Sequence, residues 1–597
     1  MAEMVKPFQR LKWGIFPVRR IVDEDSDGNF IDTSYQDSSL TSEGDSIEKT
    51  NAQLEVSSIT KEEEPEIEYR DEKDRPWWKC FDEYEYRVTS QQKKSRKWYR
   101  WFHDDDTSEE KKFITKIDIL LTFYSLMAYW VKYLDQTNLT NAYIGGIKEA
   151  IGMEGNDFIN TQVMFTVGNI VLQIPFMYIF YALPLNYVLP ALDISWSVLT
   201  ICTAQVTNVP SLKAIRFFIG AFEAPTYIAY HSLFASWFKA STGEVARRAG
   251  FFYMGQFLGI LTSGVLSGAI KRNLGGVNGY EAWQWIFIID GIISFAVGII
   301  GIYMIPGTPE DCYSIFLSDE DIRIARRRMR KDQKDAKPRE NAFYYFFEWN
   351  LWKRILTSWH IYVLALWTAF CWNNSNGTSG AYPLWLQSLK KGDGVTPRFD
   401  GGTLQDYTSL TPALGILWLI LTTSIADFLA SRYGAIIFSQ VFNVLGNLLL
   451  AIWHIPEGAK WFAFCMQYWG WSSSPVLYSF LGDICRRDVR ERQIILVCCS
   501  IFGQMTSAWI SVLVWKTVEA PRFLKGYSFT AASGFALAVW SFLVLYLYRR
   551  QERTKALDNN IVLYDSSKGE EKGVSIEQSR GRSNSAGSME VKVLDCQ

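Results

Sequence analysis

"AIRFFIGAFEAPTYIAYHSLF", residues 214–234, is apolar enough to cross a bilayer, yet it holds Arg216, Glu223, Pro225 and His231. An ionised side chain at the bilayer centre costs about 2.5–3.5 kcal/mol even on insertion-derived scales. Two of opposite sign on one helix therefore face a partner or a cavity, not lipid. Arg216 and Glu223 are seven positions apart, about 10 Å of rise, and within roughly 20° of one helical face. Pro225 removes a backbone N–H and takes the helical partner from the Ala221 carbonyl, which predicts a kink of the kind tolerated beside a cavity. Gly220, Ala221 and Ala224 allow another helix to approach closely.

The same apolar character repeats along the chain. Of 597 residues, 48% are hydrophobic and 15% aromatic, with 24 Trp, well above the composition of an ordinary globular domain. From about 113 to 548, apolar runs long enough to span a bilayer alternate with polar breaks. Twelve such runs are centred near 124, 168, 196, 224, 257, 293, 367, 416, 443, 470, 503 and 536. A basic connection containing DEDIRIARRRMRKDQKDAKPRE (319–340) divides them six and six. The expected architecture is an all-α membrane protein with 12 transmembrane helices in two six-helix bundles, the layout of the major facilitator fold.

The expected divisions are a cytosolic tail over 1–112, a first bundle over 113–306, a basic linker over 307–355, a second bundle over 356–548 and a tail over 549–597. The first tail runs from KPFQRLKWGIFPVRR (6–20) to the acidic KEEEPEIEYRDEKD (61–74), a composition too polar to bury a core and expected to be mostly disordered. Within 76–102, PWWKCFDEYEYR and SRKWYRWF mix aromatic and basic residues as an interfacial anchor does. Arg247, Arg248, Arg323 to Arg339, Arg432, Arg486, Arg487, Arg490, Arg492, Arg549, Arg550 and Arg553 fall on one side if both termini are cytosolic. Nine scattered cysteines and four isolated histidines form no metal or disulfide pattern. Without a phosphate-binding loop the energy source is expected to be an ion gradient; no cofactor, metal, nucleic acid or enzymatic activity is expected. No cleavable signal is expected at the start. Asn138 opens a formal glycosylation sequon beside the membrane.

Several motifs carry a resemblance. YLDQTNLTNAYIGGIKEAIGMEGNDF (133–158), RFFIGAFEAP (216–225) and IADFLASRYGA (425–435) resemble the fungal allantoate permease group, within the anion:cation symporters of the major facilitator superfamily. RPWWKCFDEYEYR, EAPRFLKGYSFTAA (519–532) and NNIVLYDSSKGE extend it beyond the membrane region. The resemblance implies a plasma-membrane symporter, with Asp135 and Glu223 as proton carriers, Arg216 holding a substrate carboxylate or Glu223 when empty, and Asp427 and Arg432 latching helix ends. Two departures stand out. YALPLNYVLP (181–190) lacks the family's Gly-Asp-Arg cluster, so the inner latch is expected to rest on the second half. Gln136 follows Asp135 where many relatives place a cation, which favours a zwitterionic over an anionic substrate.

Residue chemistry supports these roles and leaves others open. Low dielectric disfavours the ionised form of any carboxylate, which suits proton exchange. A guanidinium stays charged and binds carboxylates bidentately. Arg216 and Glu223 are also readable as an ion pair bracing the bundle, the less favoured of the two readings. Lys132 is a second candidate cation, or a residue snorkelling to the interface. Gln136 and Asn138, with Asn169 and Gln173 at i, i+4, are substrate contacts or interhelical hydrogen bonds. CWNNSNGTSGAYPLW (371–385) interrupts span seven, so Asn373, Asn374 and Trp385, with Gln467, are candidates for the opposite wall or a mere helix end. Asp193 and Asp290 also lie in apolar runs, and His231 is a relay or an interior histidine.

The expected function is proton-coupled uptake of a small carboxylate-bearing or zwitterionic nutrient by a monomer, sulfoxide-like amino-acid derivatives first, then allantoate- or vitamin-like compounds. A drug exporter would show a Gly-Pro pair in span five, where GQFLGILTSGVLSG (255–268) has none. A non-transporting nutrient sensor would explain the long tails but not the intact intramembrane acids.

Overall fold

The structure, a computed structural model, describes residues 11–20, 68–71, 101–102, 106–239, 244–332, 349–375, 379–391, 395–428, 431–485, 489–554, 561–564 and 566–568. The anchor expected over 76–102 lies outside these residues except for Trp101 and Phe102, as does most of both tails. Two compact units divide the chain.

The large unit, within 1–30 and 95–541, is helical. Its first half contains α1 (Ser108–Ile151), α2 (Asp157–Ala182), α3 (Leu185–Thr203), α4 (Val209–Glu223), α5 (Thr226–Trp237), α6 (Glu244–Asn273) and α7 (Ala282–Met304). The linker carries α8 (Asp319–Asp332) and α9 (Trp349–Thr357). The second half contains α10 (Trp359–Trp372), α11 (Ala381–Ser388), α12 (Gly401–Thr408), α13 (Leu410–Phe428), α14 (Arg432–Ile452), α15 (Glu457–Met466), α16 (Trp469–Ser472), α17 (Ser474–Ile484), α18 (Val489–Val514) and α19 (Leu524–Thr554), whose residues past Ser541 belong to the second unit. Every expected span centre falls in one of these helices or at a break between two. Among the described residues, eight helices are continuously long and apolar enough to cross a membrane, and α9 with α10, bent by 65°, makes up to nine. Others are interrupted: α4 from α5 at Pro225, α10 from α11 before Gly380, and α15 from α17 around α16.

Local signals start the helices where they do. Thr107 and Glu110 form a reciprocal capping box on α1, and Asn208 accepts from the Ser211 amide ahead of α4, each satisfying orphan N–H groups. α2 and α4 cross at backbone contact. A Cβ on Gly168 would meet the Phe217 carbonyl, and one on Gly220 the Phe165 carbonyl.

The linker is tied to the start of α1. Arg328, 2% exposed, reaches Glu244 at 2.8 Å, Asp106 at 3.5 Å and Glu110 at 3.6 Å. Arg248 binds Asp118 through two nitrogens, at 2.8 and 3.0 Å, beneath Trp101 and Phe238. The first half thus has its own ion network here, where the sequence placed the latch on the second half alone. Arg432 donates to the Ser479 carbonyl, while the Asp427 side chain lies outside the described residues. Residues 11–20, within a tail expected to lack structure, form a hairpin of β1 (Leu11–Lys12) and β2 (Phe16–Pro17). Tyr187 donates to the Pro17 carbonyl, and Arg20 binds Asp319. In the second unit, β3 (Glu68–Asp71) pairs in parallel with β4 (Ile561–Tyr564).

Two predictions follow from this packing. Gly168→Val or Gly220→Val is expected to cost about 1–3 kcal/mol by overpacking, read as a lower melting temperature of the purified protein. Burial pushes the Asp321 carboxyl up, but hydrogen bonds from Lys116 and from the Ser318 amide and hydroxyl outweigh it and hold the group below the usual carboxylate range. Its stabilisation is complete above the unfolded value of about 3.9 and is lost as pH falls through the folded one. Asp321→Asn should therefore lower the melting temperature at neutral pH, and the gap should close in acid.

Candidate functional site

The break at Pro225 organises the site. Because Pro225 has no N–H, α4 ends at Glu223 and α5 starts afresh, with the Ala224 amide reaching back to the Ala221 carbonyl at 3.4 Å. The Glu223 carbonyl, left free at the break, accepts from Lys132 Nζ of α1 at 3.0 Å. The same ammonium lies 3.8 Å from Glu223 Oε2, which also accepts from Gln136 at 3.4 Å. Three residues on from Lys132, Asp135 accepts from Arg216 Nη1 at 2.9 Å and from the Thr200 hydroxyl at 3.0 Å. All four charged side chains are buried. Arg216 is therefore paired with Asp135 on α1 instead of with Glu223 on its own helix.

Two donors and one acceptor remain unused. Arg216 Nε and Nη2 and Glu223 Oε1 are buried with no hydrogen-bond partner among the described residues. A guanidinium with one edge engaged and another open can grip a carboxylate. Asp290 adds a third acid, accepting from Asn138 at 2.7 Å; Asn138 in turn accepts from Ser263, and Ser263 from Asn141, each at 2.7 Å.

These groups border a cavity of about 250 Å³ between the bundles. Lys132, Gln136, Asn169, Gln173, Arg216 and Asn373 line it; Asp135 and Glu223 stand behind the wall. Asn138 does not line it, because its amide is committed to Asp290 and Ser263. Asn374 is held inside the second bundle by Gln440 and Asn443, Gln467 donates to Thr411, and Trp385 stacks on Phe464 at 4.8 Å. His231 lies outside the wall, its Nδ1 2.9 Å from the Tyr227 carbonyl. The sequence reading missed Tyr129, Tyr133 and Tyr478 in the wall, and also Ser500 and Ser507. The tyrosines resembled ordinary core; the serines left a signal in their spacing with Gln504.

Apolar packing joins the two halves, as where Phe257 of α6 meets Tyr468 at 5.8 Å, and the described polar contacts across them are few and mostly neutral. Gln405 donates to the Asn141 carbonyl at 2.9 Å and Ser409 to the Leu261 carbonyl at 2.8 Å; Tyr227 and Tyr478 meet at 5.9 Å. Arg272 and Asp406 pair at an exposed edge.

Two helical bundles around a central cavity with buried charges define a secondary transporter, not an enzyme, and a multi-pass membrane protein. The model of the Major Facilitator Superfamily matches residues 125–494, and this chain belongs to that superfamily. The "Vitamin H transporter" of Saccharomyces cerevisiae is 38% identical over 508 residues, covering 84% of each chain. The "Pantothenate transporter liz1" of Schizosaccharomyces pombe is 27% identical over 449 residues, 75% of this chain and 84% of that one. Among solved structures, the proton:xylose symporter XylE bound to 6-bromo-6-deoxy-D-glucose matches with a TM-score of 0.56 at 11% identity, covering 73% of this chain and 96% of that one. The partially occluded inward-open XylE from E. coli gives 0.54 at 10% identity, over 71% and 98%. Both likenesses concern the fold.

Removing one member of a buried pair strands the other, at a cost of about 3–5 kcal/mol. Asp135→Asn should therefore lower the melting temperature more than the double change Asp135→Asn with Arg216→Gln, which leaves no orphaned charge.

Proposed function

We propose that this chain is a proton-coupled symporter that takes up a small carboxylate-bearing or zwitterionic nutrient across the plasma membrane. One observation carries the reading: the buried cluster holds three carboxylates, Asp135, Glu223 and Asp290, against two cations, Lys132 and Arg216. In low dielectric such a surplus of negative charge is relieved by a bound proton. Asp135 and Glu223 are the carriers, Glu223 being the acid whose second oxygen has no donor. A substrate carboxylate set on Lys132 and the open edge of Arg216 adds another negative charge, so proton and substrate each favour the other's binding. That mutual preference is the thermodynamic basis of symport. Rocking of the bundles about the cavity then carries both across, with Asp427 and Arg432 as a latch between states.

Gln136 in place of a cation fits a zwitterion. Relatives named as vitamin H and pantothenate transporters support a vitamin-like acid. The outer segments resemble the yeast permease named for sulfoxide–ethionine resistance, which supports amino-acid sulfoxides. The cavity is framed by both halves of the chain, and a monomer is the working unit of this reading.

In liposomes, Glu223→Gln is expected to abolish accumulation driven by an inward proton gradient while sparing exchange of substrate across the membrane. Accumulation at the native rate would sink the mechanism.

A further inference from the structure

Gln162, Thr166, Asn169 and Gln173 of α2 and Ser500, Gln504, Ser507 and Ser511 of α18 all line the cavity. Both sets follow the spacing i, i+4, i+7, i+11. Each therefore forms a strip about 16 Å long within about 60° of one helix face. The two helices belong to different halves and pack against each other. Their strips hold neutral polar groups only, whereas Lys132 and Arg216 both belong to the first half.

Interhelical bracing would account for such strips if the strips satisfied each other. They do not. Gln173 is 2% exposed, and its side-chain carbonyl meets no donor among the described residues. Gln504 donates to Ser500 on its own helix at 3.4 Å, and Gln162 to Thr140 of α1 at 3.3 Å. Neither bond crosses to the facing strip. A buried amide without a partner is costly, and a ligand bearing donors and acceptors removes that cost.

We propose that the paired strips of α2 and α18 are a second subsite, which takes the uncharged hydrogen-bonding tail of a carboxylic acid. The ligand class is an acid with a remote amide, ureide or hydroxyl group; this rests on the carboxylate reading above. The carboxylate end touches one half of the molecule. Only the tail spans both, so the tail is what couples occupancy to closure of the halves. A tail-less acid binds but transports slowly.

The test uses the full purified chain and quenching of its tryptophans, since Trp372, Trp471 and Trp515 line the cavity. Probes are pantothenate and biotin, acids with neutral polar tails, hexanoate as a tail-less acid, and panthenol as a tail without the acid. In the native protein at least one tail-bearing acid should bind about tenfold or more tighter than hexanoate, worth about 1.4 kcal/mol. Gln504→Leu and the milder Ser507→Ala should bring that ratio to within about threefold and leave hexanoate unchanged; the ligand-free melting temperature reports whether each variant folds. The subsite is overturned if neither tail-bearing acid gains over hexanoate, or if the variants weaken both kinds of acid equally. Panthenol binding as tightly as pantothenate, with that binding still lost in Gln504→Leu, would overturn the carboxylate reading and keep the subsite.

Discussion

The ion pairs Arg216–Asp135 and Lys132–Glu223 join α1 to the broken fourth span, and the first half is built around keeping them dry. Such pairs do not exist for stability. Well-packed apolar residues of similar volume would hold α1 to α4 equally well, because desolvating two charges offsets most of their attraction. Their full burial is what the proposed proton exchange would use. The backbone contact of α2 on α4, through Gly168 and Gly220, fixes the helix that carries Arg216 and Glu223. Pro225 supplies its other condition, a break whose freed carbonyl Lys132 satisfies.

The two halves solve the problem of buried polarity differently. The first uses ions. The second uses neutral amides: Asn374, Gln440 and Asn443 hydrogen-bond around the interruption between α10 and α11, with Gly470 and Ser473 completing the set. Amides do not titrate at physiological pH, so this network fixes geometry. Under the proposed reading, a substrate would be gripped by ions on one side and by neutral groups on the other, and only the first grip would depend on protonation.

The seam between the halves is apolar packing crossed by few polar bonds. Phe257 of α6 meets Tyr468 and lies against Gly415 of α13, while the described polar contacts are backbone-directed bonds from Gln405 and Ser409 and an exposed ion pair. Each of those polar contacts is worth little once water competes. A ligand bridging the halves thus has leverage over which arrangement is populated.

The sequence by itself determined the helical, membrane-spanning character of the chain, the break at Pro225 and the burial of Asp135, Arg216 and Glu223. These follow from local rules: bilayer thickness sets the length of an apolar run, a missing N–H breaks a helix, and a charge within such a run must turn inward. Only the tertiary structure decided which charges meet. Arg216 chose Asp135 because that side chain faces it across the α1 contact, whereas Glu223 is two turns along its own helix. The same holds for Asn138, Asn374, Trp385 and Gln467, polar or aromatic residues in plausible places whose groups are committed to neighbours elsewhere. Spacing places a residue on a face. What faces it is set by how helices distant in sequence cross, through close contacts such as Gly168 against Phe217 that no single segment encodes.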